Sequence, residues 1–249
     1  MPSSWLIEFE GVSGRDVRPS GLHRFLSAWF GEDPEQHTDR KGYSLGERGD
    51  RDGAVAVVVR CVSDRLGALL SELPRGQAVT FGHTFPKQAR VRDCVQVAEA
   101  TWDDLVVPLG TAVWQIEFLS PVSLRRHGVD QPWPAPGPLL AGVAEKWAAY
   151  GPAPLPWSDE DARAILVTGV ELTMEQSQDA PVPTWGAVGR VEWTWDLADR
   201  RAPADGPARV ERLLRLAEFT GLGAYPQHGL GRVRVSGRRP EPRQRAPRR

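Results

Sequence analysis

Trp5-Leu-Ile-Glu-Phe9, near the start of the chain, recurs almost unchanged as Trp114-Gln-Ile-Glu-Phe118. In both copies the three large apolar side chains occupy alternate positions, which is the period of a β-strand with one buried face. Each copy is followed, after a loop, by a segment with the apolar spacing of an amphipathic helix. Because strand, helix and spacing all match, the sequence predicts two similar halves.

The two predicted helices have recognisable ends. In the first half Ser20 is a candidate cap, and Gly31 is a candidate terminator. In the second half the corresponding helix ends at Gly151. The apolar stripes are Leu22, Phe25, Leu26, Trp29 and Phe30 in the first helix, and Leu140, Val143, Ala144 and Trp147 in the second.

The remaining segments complete each half as β-α-β-β-α-β, the ferredoxin-like α+β pattern. We expect a first domain at 1–108, a second at 109–236, and a basic disordered tail at 237–249 that has no apolar period. Further strands are predicted at 54–61, 77–85, 91–99, 164–174, 187–197 and 231–235, and further helices at 63–73 and 207–220.

Bulk properties are those of an ordinary globular protein, with 249 residues, 41% hydrophobic content and a net charge of −1. The sequence has no run of 18 apolar residues and no secretory signal, which predicts a cytoplasmic protein without a membrane span. Cys61 and Cys94 are expected to be reduced thiols. Charge is unevenly distributed along the chain, because the segment from Arg232 to the C-terminus contains eight arginines and only one acidic residue, Glu241.

Four glycines, at positions 221, 223, 229 and 231, lie between the last predicted helix and the last strand. Glycine permits close backbone approach, and successive free N–H groups in a loop can hold phosphate. Arg232 and Arg234 follow on alternate strand positions and are candidate phosphate contacts. The segment therefore predicts binding to a phosphate backbone through Gly221, Gly223, His228, Gly229, Gly231, Arg232 and Arg234.

This segment also carries a family resemblance. A helix at 209–219, then Thr220-Gly-Leu-Gly223 and Gly229-Leu-Gly-Arg-Val233, resembles the RAMP superfamily of CRISPR-associated proteins. Within it, the pattern is most similar to endoribonucleases that cut precursor CRISPR RNA within each repeat (the Cas six family). Its insert, Ala224-Tyr-Pro-Gln-His228, departs from the family pattern because it lacks the usual basic residues.

The resemblance implies metal-independent cleavage in which the 2′-OH attacks the adjacent phosphate, leaving a 2′,3′-cyclic phosphate and a 5′-OH. Such a reaction needs a base, an acid and a cation, and histidine suits the first two roles near neutral pH. His37, in a polar loop, is the first candidate; His23, about 100° from the apolar stripe of its helix, is the second. Lys41 is the candidate cation. For His37, His23 and Lys41, the alternative interpretation is a solvated side chain without a catalytic role.

No metal-ligand spacing and no cofactor motif occur, so no metal or cofactor is expected. The acidic runs Asp103-Asp104 and Asp159-Glu-Asp161 are interpreted as loop or helix-start solvation. Two further basic clusters are candidates for RNA contact: Lys87, Arg90 and Arg92 near His83, and Arg125, Arg126 and His127. Tyr43 and Ser44 are candidate substrate contacts but better explained as strand residues. Most of the ten tryptophans are expected in the core, and Trp133 is expected to pin a loop.

The expected partner is CRISPR repeat RNA, as precursor and processed product, with other CRISPR effector subunits as a further possibility. Two alternatives stay open. A non-catalytic RAMP subunit would bind RNA without needing His23 or His37. A ferredoxin-like regulatory protein would bind a small molecule instead, and would lack the steep salt dependence that phosphate contacts produce.

Overall fold

The computed structural model describes residues 1–32, 41–82, 85–105, 111–127 and 129–238. The described residues form two large antiparallel sheets and one small hairpin. His37, His83 and the predicted domain junction near residue 108 lie outside the described residues, as do residues 239–249 of the predicted tail.

The first sheet is built from the first half of the chain. Its strand order is β2-β3-β1-β5-β4, and all neighbouring strands are antiparallel. Apolar residues of two helices pack on it, in one core with Ile7 and Phe9. The elements are β1 (Ser3–Glu10), α1 (Pro19–Phe30), β2 (Tyr43–Arg51), β3 (Ala54–Cys61), α2 (Asp64–Ser71), β4 (Ala78–Phe81) and β5 (Lys87–Glu99).

The second sheet has the order β11-β6-β10-β9, again with antiparallel neighbours. A separate hairpin, β7–β8, follows its first strand. The elements are β6 (Val113–Val122), β7 (Leu124–Arg126), β8 (Val129–Gln131), α3 (Pro136–Tyr150), α4 (Asp159–Arg163), β9 (Ile165–Ser177), β10 (Thr184–Trp195), α5 (Gly206–Thr220), the 3₁₀ turn Pro226–His228, and β11 (Val233–Arg238).

The two sheets correspond strand for strand. β1 and β6, which carry the repeated motif, each lie between two neighbours, and β3, β2 and β5 take the places of β10, β9 and β11. β4 is an additional edge strand. The predicted α+β fold with two ferredoxin-like units is therefore confirmed, and the alternating apolar side chains of both motif copies are buried.

Several local predictions need correction. Ser20 lies within α1, which is preceded by Arg18 and has Pro19 at its first position, where the missing N–H of proline costs nothing. The predicted strand 77–85 ends at Phe81. The closing strand continues to Arg238, beyond the predicted end at residue 235. β7 and β8 were not predicted, because three-residue strands are too short to produce a readable alternation.

The acidic run at 159–161 begins α4, as predicted, but it is not simply solvated. Ser158 and Asp161 form a reciprocal capping box at the start of the helix. Asp161 is only 1% exposed, and Arg209 Nη2 of α5 donates to its Oδ1 at 2.6 Å. This buried ion pair joins α4 to α5.

Core packing accounts for most of the tryptophans, as predicted. Trp114 and Trp193 are fully buried, and Trp114 Nε1 donates a hydrogen bond to the buried carboxylate of Glu211. Trp133 and Trp185 are about half exposed. The core of the second half also includes Val62, which directly follows β3 of the first half.

Candidate active site and nucleic-acid interface

The first candidate side chains lie on one face of α1. His23 and Ser27 are four residues apart, a spacing that places side chains next to each other on a helix. Both meet the Tyr43 hydroxyl at the start of β2, with His23 Nδ1 at 2.6 Å and Ser27 Oγ at 3.0 Å from Tyr43 Oη. Lys41 Nζ donates to Ser27 Oγ at 3.3 Å. A polar network therefore joins two predicted catalytic residues, His23 and Lys41.

An ion pair extends the network to the end of α1. Lys41 Nζ lies 3.6 Å from Glu32 Oε2, and Lys41 is buried although it is charged. Glu32 and Lys41 are also the described residues on either side of segment 33–40, which includes His37. The residues that border this segment therefore both belong to the network.

The second half of the chain covers His23. Its ring lies 4.7 Å from the ring of His228, between centroids, and His228 belongs to the 3₁₀ turn inside the glycine-rich segment. His23 and His228 are each 3% exposed. The alternative interpretation of His23 as a solvated side chain on the helix surface is therefore wrong, because the sequence of α1 does not reveal that the glycine-rich segment packs on this face.

Burial raises the pKa of the Tyr43 phenol, against a smaller opposite effect of its hydrogen bond with Ser27. The hydroxyl therefore keeps its proton near neutral pH and can donate to His23 Nδ1. In that arrangement a neutral His23 carries its own hydrogen on Nε2, since a neutral imidazole has one donor and one acceptor nitrogen. Tyr43 thus fixes the orientation of His23, and the tautomer of the ring decides which of the two atoms donates.

Two glycines of the 221–231 segment, Gly223 and Gly231, are required by close packing inside the protein. Gly223 has a φ of +80° and Gly231 a φ of +70°, a region that side chains rarely adopt. A methyl group at Gly223 would overlap the Ser123 carbonyl oxygen, and one at Gly231 would overlap the Leu222 carbonyl oxygen. Gly221 and Gly229 also have positive φ.

The N–H groups of this segment are largely used within the protein, contrary to the predicted free donors. Leu222 N donates to Gly231 O at 2.8 Å, which closes the segment on itself. Ala224 N donates to Ser123 O at 2.7 Å, and Gly231 N to Pro121 O at 3.0 Å. The segment is therefore a rigid support fastened to the end of β6.

The two arginines that follow differ in their surroundings. Arg232 Nη1 lies 3.2 Å from Glu47 Oε1 of β2, so it connects the two halves. Partial burial alone raises the pKa of Glu47, but Arg60, the backbone N–H of Glu47 and Arg232 outweigh it and lower that pKa. Arg234 is more exposed and pairs with Glu117 at 3.0 Å.

A cavity of about 430 Å³ opens beside the glycine-rich segment. Lys146 of α3, one of its lining residues, donates to Thr220 O at 3.0 Å. Arg125 of β7 also lines it and donates to the Tyr225 hydroxyl, so one arginine of the predicted 125–127 cluster faces the cavity. Gly221 and Gly223 form part of its wall.

From the sequence, Tyr43 was better explained as a strand residue, and neither Ser27 nor Glu32 was a candidate for the site. The i, i+4 spacing of His23 and Ser27 is the only local signal that relates any of them. Among the described residues no cluster of three or more His, Cys, Asp or Glu side chains is arranged to hold a metal ion.

Comparisons with known proteins extend over both halves. Residues 116–233 match the family model of the CRISPR-associated endoribonuclease Cas6. No curated protein sequence matches the chain significantly. A solved structure, "Cas6 (TTHA0078) product complex", is 27% identical, with a TM-score of 0.75 over 94% of this chain and 99% of the other.

Two further solved structures are similar over a comparable length. The "Cas6 (TTHA0078) substrate mimic complex" is 25% identical, with a TM-score of 0.72 over 94% of this chain and 99% of that one. Thermus thermophilus Cas6 (TTHB231) is 19% identical, with a TM-score of 0.67 over 95% and 98% of the two chains, and this likeness concerns the fold alone.

Proposed function

We propose that this chain is a member of the Cas6 family of CRISPR-associated endoribonucleases, and that it binds precursor CRISPR RNA and cleaves it within the repeats. The observation that carries the proposal is the end-to-end similarity to a Cas6 protein solved as both a product complex and a substrate-mimic complex. The anchored network of His23, Tyr43 and Lys41 supplies groups of the kind that this reaction needs.

The proposed reaction is an internal transesterification. A base removes the proton of the 2′-OH, and the 2′-oxygen attacks the adjacent phosphorus. The bond to the 5′-oxygen of the next nucleotide breaks, and an acid supplies the proton that this oxygen takes up. The products are a 2′,3′-cyclic phosphate and a 5′-OH, and no water or metal ion takes part in the bond changes.

We assign the roles from burial and anchoring. Lys41 stabilises the charge that develops on the phosphorane oxygens, since an ammonium group held by Ser27 and Glu32 is positioned in advance. His37 is the first acid–base candidate, because Glu32 and Lys41, the described residues on either side of segment 33–40, both belong to this network. His23 is the second, because His228 covers it and substrate reaches it only if the 3₁₀ turn moves.

RNA is proposed to lie along the glycine-rich segment. Gly223 and Gly231 let the segment pack on the end of β6, Gly221 and Gly229 have positive φ within it, and His228 and Arg234 lie on or beside it. Arg232, which directly precedes β11, forms an ion pair with Glu47 of β2 and also offers positive charge to phosphate. Arg125 and Lys146 add positive charge at the adjacent cavity.

The first test is cleavage of end-labelled repeat RNA in the presence of EDTA. We compare the wild type with His37→Ala, Lys41→Met and, as a control, Arg163→Gln. Arg163 is an exposed charge at the end of α4 and lies outside the proposed RNA-binding residues. We expect one cut by the wild type and the control, and strong loss of cutting in the first two variants.

Other outcomes of this test separate the alternatives. Cleavage by His37→Ala at the normal rate would move the acid–base role to His23. Tight binding of repeat RNA without any cleavage by the wild type would favour a non-catalytic RAMP subunit. If the wild type neither bound nor cleaved repeat RNA, that result would contradict the proposed function.

We also propose that the protein acts in the cytoplasm. None of the described helices is long and apolar enough to cross a membrane. Burial raises the pKa of both thiols, that of Cys94 to about 12, so both cysteines stay as unreactive thiols at neutral pH. Tagged protein followed after cell fractionation would test this location.

A further inference from the structure

A second concave site lies at the other side of α1, in the first half of the chain. It has a volume of about 500 Å³ and is formed by the loop before α1, the first turns of α1 and the turn between β4 and β5. We call it the basic pocket. It is lined by Arg15, Asp16, Arg18, Ser20, Gly21, Arg24, Phe81, Gly82, Phe85 and Lys87.

Positive charge dominates this pocket. Four cationic side chains face one carboxylate, that of Asp16, although the whole chain has a net charge of −1. Arg15, Arg18 and Lys87 take part in none of the ion pairs between described residues, and Arg24 donates only to the carbonyl of Gly82, at 3.3 Å. Lys87 also acts on the carboxylate of Asp16, so the excess of positive charge in the pocket comes mainly from the arginines. Such an excess of positive charge in a concave site attracts a polyanion.

An aromatic ring stands at the rim. Phe85 is 81% exposed, the highest value among the exposed large apolar side chains of the described residues. Exposed aromatic rings beside basic side chains are typical of sites where unpaired bases stack while the phosphates pair with cations. A concave pocket of this volume also suits one or two unpaired nucleotides better than the wide surface of a duplex.

We infer that the basic pocket binds unpaired nucleotides of the repeat RNA, with a base stacked on Phe85 and phosphates held by Arg15, Arg18 and Lys87. The inference rests on the proposed function, because the ligand is the same RNA. It changes the interpretation of the predicted cluster at 87–92: Lys87 lines the pocket, whereas Arg92 is directed to Glu8. The pocket contributes to affinity and register, and the chemical step takes place elsewhere.

The test measures binding of a repeat RNA that carries 2′-deoxyribose at the mapped cleavage nucleotide, so that binding is observed without cleavage. The RNA is used at full length and shortened from each end in turn. The variants are Phe85→Ala and the double variant Arg15→Gln/Arg18→Gln. The controls are Leu197→Ala, which removes another exposed apolar side chain, and Arg163→Gln, which removes an exposed charge on α4.

We expect Phe85→Ala to weaken binding of full-length RNA about tenfold or more, as loss of a stacked base does. Shortening one end should abolish the difference between this variant and the wild type. The arginine variant should make the dependence of log affinity on log salt concentration shallower by about 0.7 for each lost contact. Both controls should bind like the wild type, and all variants should cleave normally at saturating RNA.

Two results would overturn the inference while leaving the proposed function intact. One is normal affinity of Phe85→Ala for every RNA. The other is an equal loss for full-length and both shortened RNAs, because the pocket would then not contact an unpaired end. If the wild type itself bound no repeat RNA, the proposed function would fail together with the inference.

Discussion

Tyr43 Oη is the atom that links the candidate catalytic side chains, because both His23 Nδ1 and Ser27 Oγ lie within hydrogen-bond distance of it. We expect Tyr43→Phe to lower the single-turnover cleavage rate about tenfold to hundredfold, since small misplacements of a catalytic group have effects of that size. RNA affinity should stay within about twofold. Quench-flow cleavage at saturating enzyme, over a range of pH, measures the effect.

The same variant separates positioning from stability. Tyr43→Phe removes one hydrogen bond from each of two buried groups, His23 Nδ1 and Ser27 Oγ. This loss should cost about 1–2 kcal/mol of unfolding free energy. A purely structural role predicts that cost with an unchanged rate and pH profile. If that result is obtained, Tyr43 does not act through His23.

Glu218 provides a residue-scale prediction about pH. Burial raises its pKa, and the hydrogen bond from Val235 N, 3.0 Å from Oε1, opposes this effect. A raised native pKa means that the native state binds this proton more tightly than the unfolded state. The stabilising contribution is therefore complete below the unfolded pKa and is lost as pH rises through the native pKa.

Glu218→Gln keeps an acceptor for Val235 N and removes the titration. We expect the stability of the wild type relative to this variant to fall as pH rises from about 4 towards 7. Urea unfolding of both proteins at several pH values measures the difference. A difference that rises with pH would mean that Arg215, at 4.0 Å, outweighs burial.

At the scale of elements, the glycine-rich segment is stabilised by backbone packing. Gly231→Ala places a methyl group at positive φ against the Leu222 carbonyl. We expect a loss of about 3 kcal/mol or more of unfolding free energy, the sum of the conformational and steric costs. Chemical denaturation followed by tryptophan fluorescence measures it.

Gly142→Ala is the matched control for Gly231→Ala. Gly142 lies in α3 with open space where a side chain would project. Alanine should therefore stabilise the protein by about 0.5–1 kcal/mol, the difference in helix propensity. Equal effects at the two positions would contradict the close-packing explanation for the loop.

Sequence periodicity predicted most elements because it is a local property of each segment. The alternation in Trp5, Ile7 and Phe9 and the helical spacing in α1 needed no knowledge of the partner strands. Three-residue β7 and β8 had no such signal. His23, Lys41 and His228 were candidates from the sequence, but their arrangement was not predicted, since Tyr43 meets His23 over a separation of 20 residues and His228 covers it from the other half.

At the scale of the whole molecule, contacts between the halves build the site. Ser44 Oγ donates to Phe219 O at 2.6 Å, over 175 residues of chain. The Glu47–Arg232 ion pair and the His23–His228 contact lie along the same junction. The glycine-rich segment of one half, which is the proposed RNA-binding segment, is therefore held against the catalytic candidates of the other. The sequence of either half alone does not contain this information.

The hydrogen bond between Ser44 and Phe219 leads to a prediction about the stability of the whole chain. Ser44→Ala leaves the Phe219 carbonyl without this donor in a buried place, which should cost about 1–2 kcal/mol. Ser71→Ala is the control, because Ser71 Oγ makes a bond of the same length to Ala68 O on an exposed helix end and should matter by less than about 0.5 kcal/mol. Urea unfolding of each variant, with and without repeat RNA, measures both effects. If the contacts between the halves position the glycine-rich segment, Ser44→Ala should also weaken RNA affinity. A loss of stability with unchanged RNA affinity would mean that the Ser44–Phe219 hydrogen bond only holds the two halves together.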